Sequence, residues 1–165
     1  MSVSVAVLLL LAAPPQAPAP PATRQQRVAV RALEAGYGVS PQLTRTLTDL
    51  LTAELRQRAQ LSVTSQDDIV SLLSFERQRQ LLNCGDTGCL SQIGNALGAE
   101  DFVNGSLSLI GHAYVLVLRR VDVRQAKVLH EASRQVAQAH ESALLDAVSA
   151  MAKDLFPELQ AANSR

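Results

Sequence analysis

Two cysteines, three histidines and a few paired charges are the only side chains in this 165-residue chain whose types and spacing could support chemistry. Cys84 and Cys89 enclose Gly-Asp-Thr-Gly. That spacing is wider than the Cys-x-x-Cys of a dithiol redox pair, and no Cys-x-x-Cys-His haem site is present. A zinc site would need two further ligands, and His112, His130 and His140 are scattered without metal spacing. The expectation is a local disulfide that pins an irregular loop, with free thiols and metal or redox chemistry as alternatives. Closing so short a loop contributes about 2 kcal/mol on the chain-entropy account.

The paired charges are read in the same way. Asp67 and Asp68 follow Ser65-Gln66, so they sit in the first turn of a helix, where capping and the helix dipole explain them better than acid–base catalysis. Glu100-Asp101 stands where a helix hands over to a strand, and solvated turn acids are expected there. Arg119-Arg120 is less ordinary, because neighbours in a strand face opposite sides of the sheet. One of them must approach the core or a covered face, through snorkelling or an ion pair, with partner binding through Arg119 and Arg120 as the alternative. Asn104-Gly105-Ser106 matches a glycosylation pattern but lies in a predicted strand, so Gly105 points instead to a bulge or a close backbone approach. No nucleophile elbow, phosphate-cradling loop or metal cluster is found. The expectation is therefore no catalytic residues, no metal, no cofactor and no enzyme.

The elements that must position these residues follow from periodicity and punctuation. Arg27–Leu33 alternates and reads as a strand, and Glu34–Val39 with its two glycines reads as a loop. Ser40-Pro41 opens a helix, Ser as N-cap and Pro where its missing N–H is harmless. Leu43, Leu47, Leu50, Leu51 and Leu55 then recur at helical spacing up to Arg58. Leu61–Thr64 is a second strand. From Ser65 a helix carries Ile69, Leu72, Leu73 and Leu81 toward the core. Leu90–Leu97 makes a short helix stopped by Gly98. Phe102–Ile110 and Ala113–Val121 flank Gly111-His112 as a hairpin, and Lys127–Gln138 adds a third strand. Glu141–Phe156 closes the fold as a helix, with Leu144, Leu145, Val148, Met151, Ala152 and Leu155 inward and Pro157 ending it. The order β-α-β-α-α-β-β-β-α gives an α/β fold, a mixed sheet of about five strands with helices packed on it.

Fifteen basic and fifteen acidic side chains cancel, and there are no Trp, two Tyr and three Phe, so neither a basic patch nor stacking platforms point to nucleic acid. Residues 1–23 carry no charge. Val3–Ala13 is apolar, too short to cross a bilayer but suited to the core of a secretory signal, although no basic residue precedes it. Five of the seven prolines follow between positions 14 and 21, as an extended linker. The expected organisation is a signal peptide and Pro-rich linker over 1–22, one domain over 27–156, a disordered tail over 157–165, and no transmembrane span in the mature chain.

Four stretches, in this order and spacing, resemble one family. They are Leu51-Thr52-Ala53-Glu54-Leu55, Leu61–Ile69, the run Ile93–Ser106 (Ile-Gly-Asn-Ala-Leu-Gly-Ala-Glu-Asp-Phe-Val-Asn-Gly-Ser), and Leu118–Val123. They are similar to the amino-terminal domain of TolB and its wider group, which includes CsgG, FlgO and the penicillin-binding-protein activator LpoB. Stand-alone modules of myxobacterial envelope proteins have the same look. The resemblance implies an anticodon-binding-domain-like α/β architecture. It also implies a periplasmic, outer-membrane-associated, non-enzymatic module that binds other envelope proteins. A periplasmic small-molecule-binding or sensory domain is the alternative. Neither a TolB propeller nor a lipid-bearing Cys is expected, and Arg119 and Arg120 stand where the resemblance implies a more apolar strand.

Overall fold

The computed structural model describes residues 24–82 and 84–163. The signal peptide and linker expected over 1–22 lie outside them, as does the side chain of Leu81. A six-stranded mixed sheet is built from β1 (Gln26–Val30), β2 (Glu34–Ala35), β3 (Leu61–Thr64), β4 (Asp101–Ile110), β5 (Ala113–Asp122) and β6 (Lys127–Ala137). Its spatial order is β3-β1-β4-β5-β6, with β2 also on β4. β1 runs parallel to β3 and β4, while β4, β5 and β6 form an antiparallel meander.

The expected strand Arg27–Leu33 is shorter, and a sixth strand replaces part of the expected loop. Val28–Val30 pair with Asp101–Val103, and Glu34-Ala35 rejoin β4 at Ser106-Leu107. Between them the chain leaves the ladder and side chains satisfy its amides. Gln66 Oε1 accepts from Ala32 N–H, and Thr48 Oγ1 accepts from Leu33 N–H, each at 2.9 Å.

Helices cover the sheet unequally. The helices α1 (Pro41–Arg56) and α5 (Ala143–Asp154) share one face. There Leu47, Leu51, Leu55, Leu144, Val148 and Met151 pack on Val28, Val30, Val103, Leu107, Leu116 and Leu118. The opposite face carries α2 (Gln66–Leu72) and α4 (Thr87–Ala96), with α3 (Phe75–Leu82) against α4. Ile69, Leu73, Leu90 and Ile93 meet Ala29, Phe102, Val121 and Val123 there. Ser40 caps α1 as its sequence predicts, accepting from Leu43 N–H. Gly98, with φ +67°, stops α4 in a Schellman turn: Ala99 N–H donates to Gly94 O and Gly98 N–H to Asn95 O.

Four expectations are corrected. The helix opened by Ser65 ends at Leu72, because Leu73 turns extended and carries its side chain inward. Gln78 Nε2 donates to the freed carbonyls of Val70 and Leu73, and Leu72 is left 68% exposed instead of reaching the core. α4 begins three residues early because Asp86 caps it, which brings Cys89 into its first turn. Leu145 faces out, since α5 starts only at Ala143 after a 3₁₀ turn over Gln138–His140. Pro157 opens a further helix, α6 (Pro157–Asn163), in place of the tail expected from 157 onward, and Leu159 packs against the main core.

Candidate functional site

Each chemical candidate can now be placed. Cys84 and Cys89 are disulfide-bonded, with their Cα atoms 5.6 Å apart. Cys84 is buried in the α2–α4 core, and its carbonyl accepts from Arg31 Nη1 at 3.0 Å, while Arg31 also pairs with Glu34 at 3.0 Å. Asp86 Oδ1 accepts from Cys89 N–H at 2.9 Å. The bridge thus staples the α3–α4 connection to the end of β1. Its double variant Cys84→Ser/Cys89→Ser is expected to lose about 2 kcal/mol in urea unfolding. Mass analysis under non-reducing conditions should find no alkylatable thiol in the native protein, and two free thiols would contradict the bridge.

Asp68 serves as the reciprocal cap of α2. Its Oδ2 accepts from Ser65 N–H and Oγ, and Arg56 pairs with it at 3.0 Å. The Ser65 hydrogen bonds, with a smaller contribution from Arg56, hold its carboxyl below the ordinary carboxylate range. That is capping chemistry, and the side chain lies on the surface.

The two arginines separate. Arg120 faces the core side of the sheet and is 4% exposed. Its Nε donates to Asp101 at 2.9 Å and its Nη1 to Leu155 O and to Glu158 on α6, and the guanidinium stacks 4.1 Å from the Phe156 ring centroid. Arg120 is therefore an internal ion pair, and the partner-binding alternative is corrected for it. Asp101, expected as a solvated turn acid, is buried and also accepts from Gln26 Nε2. Burial pushes its carboxyl up, and Arg120 opposes that shift. The signal was available in the register: Arg120 lies opposite Val103, so Asp101 is its diagonal neighbour on the same face.

Arg119 faces the other way and is exposed, paired with Glu131 at 2.5 Å. Around it lies the part of the sheet that no helix covers among the described residues. Beyond Phe102 and Val121, this face presents Asn104, Ser106 and Ser108 of β4, then Val115 and Val117 of β5, then Ser133 and Gln135 of β6. β5 shows the division directly: Tyr114, Leu116, Leu118 and Arg120 are buried, while Val115, Val117 and Arg119 are not. Asn104 Oδ1, directly opposite Arg119 in register, is buried without a hydrogen-bond partner. The surface is flat and short-chained, apolar along its middle strand and rimmed by one ion pair. It can lay a partner across the valines and engage it through Arg119 or Glu131. No cluster of metal-ligating side chains occurs among the described residues.

No protein-family model matches the chain, and no curated protein matches it. Solved structures do. The LpoB C-terminal domain from Salmonella enterica has a TM-score of 0.51 at 17% identity, over 72% of this chain and 87% of that one. The PelC dodecamer from Paraburkholderia phytofirmans has a TM-score of 0.51 at 14% identity, over 86% of this chain and 91% of that one. TolB from Acinetobacter baumannii has a TM-score of 0.51 at 12% identity, over 80% of this chain but only 28% of TolB. At these identities the likeness is one of fold. The chain is a mixed α/β domain with the LpoB- and TolB-like fold.

Proposed function

We propose that this protein is an exported, non-enzymatic interaction module of the bacterial cell envelope, and that it docks a protein partner on the open face of the meander. One observation carries the reading. The sheet is sheathed on both sides at β1 and the start of β4, yet bare on one side around Val115, Val117 and Arg119. An uncovered face with apolar residues at its centre and charge at its rim has the anatomy of a protein interface.

Further observations support export. Val3–Ala13 has the length and apolarity of a signal core, and a disulfide fits an oxidising compartment. No helix of the described residues is long and apolar enough to cross a membrane. The LpoB and TolB structures share the fold, and their envelope setting enters here as analogy. Outer-membrane association and an accessory or assembly role belong to the same proposal.

Fractionation of the native host tests the location. The expected result is protein in the periplasmic or envelope fraction, digestible by protease once the outer membrane is opened. Protein found wholly in the cytosol would overturn the proposal.

A further inference from the structure

A second concavity lies away from the open face and shares no residue with it. It is a groove of about 340 Å³ at the carboxyl ends of the parallel strands, between α1 and the start of α2. Its position follows from topology. The chain leaves β1 through the short β2 into α1, which packs on one face of the sheet, and leaves β3 into α2, which packs on the other. Neighbouring parallel strands whose connections depart to opposite faces leave a crevice at their carboxyl ends, where open α/β sheets bind ligands.

The walls are built, not collapsed. Thr48 Oγ1 and Gln66 Oε1 hold the backbone of Leu33 and Ala32 at the floor, and Thr44 Oγ1 donates to Pro41 O. Those bonds occupy the hydroxyls and the amide oxygen and leave Gln66 Nε2 as a donor. Ala32, Leu33, Ala35 and Pro41 make up the groove's apolar lining.

Three charges stand on the rim: Arg45 and Asp49 on α1, and Asp67 on α2. None of them enters the ion pairs found among the described residues. Arg45 and Asp49 are one helical turn apart, yet they do not pair. With no ion-pair partner of their own, this cation and these two anions remain available to a guest. Their arrangement around an apolar base complements a small zwitterion with an aliphatic body.

We infer that the groove between α1 and α2 binds a free α-amino acid with an apolar side chain. Its ammonium is held by Asp49 and Asp67, its carboxylate by Arg45 and its side chain by Ala32, Leu33, Ala35 and Pro41. The inference does not depend on the partner-docking reading, and either can fail alone.

The test is an amide-shift titration of the full chain with L-leucine, and in parallel with 3-methylbutylamine, which lacks the carboxylate, and 4-methylpentanoate, which lacks the ammonium. The expected result is saturable shifts at Ala32, Leu33, Ala35 and Gln66 with leucine, and binding about tenfold weaker for each truncated ligand, as loss of one charged hydrogen-bonding group predicts. Arg45→Gln and Asp67→Asn change exposed residues, so the variants keep the fold and its dispersed spectrum while losing affinity by a similar factor. The inference is overturned by the absence of saturable shifts with leucine at millimolar concentration, by shifts centred outside the groove, by equal binding of the amine alone, or by variants that bind as tightly as the parent.

Discussion

Arg120→Leu is expected to cost about 3–5 kcal/mol of folding stability, the range for breaking a buried pair by removing one partner. The variant strands Asp101, which is 2% exposed, without its cation, and it frees α6 by removing the donors to Leu155 O and Glu158. The double variant Arg120→Leu/Asp101→Asn should recover much of that loss, because no charge is then left buried. The pH dependence has a definite sign. Burial already sets the Asp101 carboxyl above its unfolded value, and loss of Arg120 raises it further. A raised folded-state pKa contributes stability that is present below the unfolded value, near 4, and is lost as pH rises through the folded value. The deficit of the single variant should therefore shrink toward acid pH and be largest at neutrality. Urea unfolding of wild type, single and double variants across that range checks it. A single variant that loses under 1 kcal/mol, or a double variant no better than the single, would show that Arg120 does not stabilise the fold by holding Asp101 and α6.

The second large effect is expected at Gly105. A Cβ added there would overlap the Val117 carbonyl oxygen and stand 2.8 Å from Leu118 Cδ2 and 3.0 Å from Leu33 Cδ2. Two of these obstacles are flexible side-chain ends, but the first is backbone of the paired strand, which cannot move without opening the β4–β5 ladder. Gly105→Ala should cost about 3 kcal/mol, the upper part of the range for overpacking. Gly85→Ala meets nothing within 4 Å and serves as the control, with little change expected. Equal stabilities for the two variants would contradict the close approach.

Local signals in the sequence carried well. Ser40, Ser65 and Gly98 cap the helices they were expected to cap, and Gly111 with φ +62° turns the hairpin. These features depend on residues within a few positions of one another, where side-chain and backbone chemistry decide locally. The cysteine bridge was legible for the same reason. What failed was set at long range. Leu72 fits a helical stripe, yet the core has room for Leu73, so the helix breaks and Leu72 remains outside. Asp101 reads as a turn acid until β5 brings Arg120 diagonally beside it. Pro157 reads as a stop, yet it is the first residue of α6, where Arg120 reaches Glu158. Gly105 was read as a bulge or a close approach. The approach is real, while the register shift lies at Arg120/Val121 against β6. The bare face was written only in part. The alternation of β5 shows which residues face away from the core, but not that the helices end short of covering them.

Photocrosslinking in living cells tests the central claim most directly. A photoreactive residue placed at Val117 or Ser133, on the open face, should give a discrete adduct of higher mass with an envelope protein. The same residue at Gln42, exposed on the first turn of α1, should give none. Adducts from Gln42 with none from Val117 or Ser133 would contradict the account.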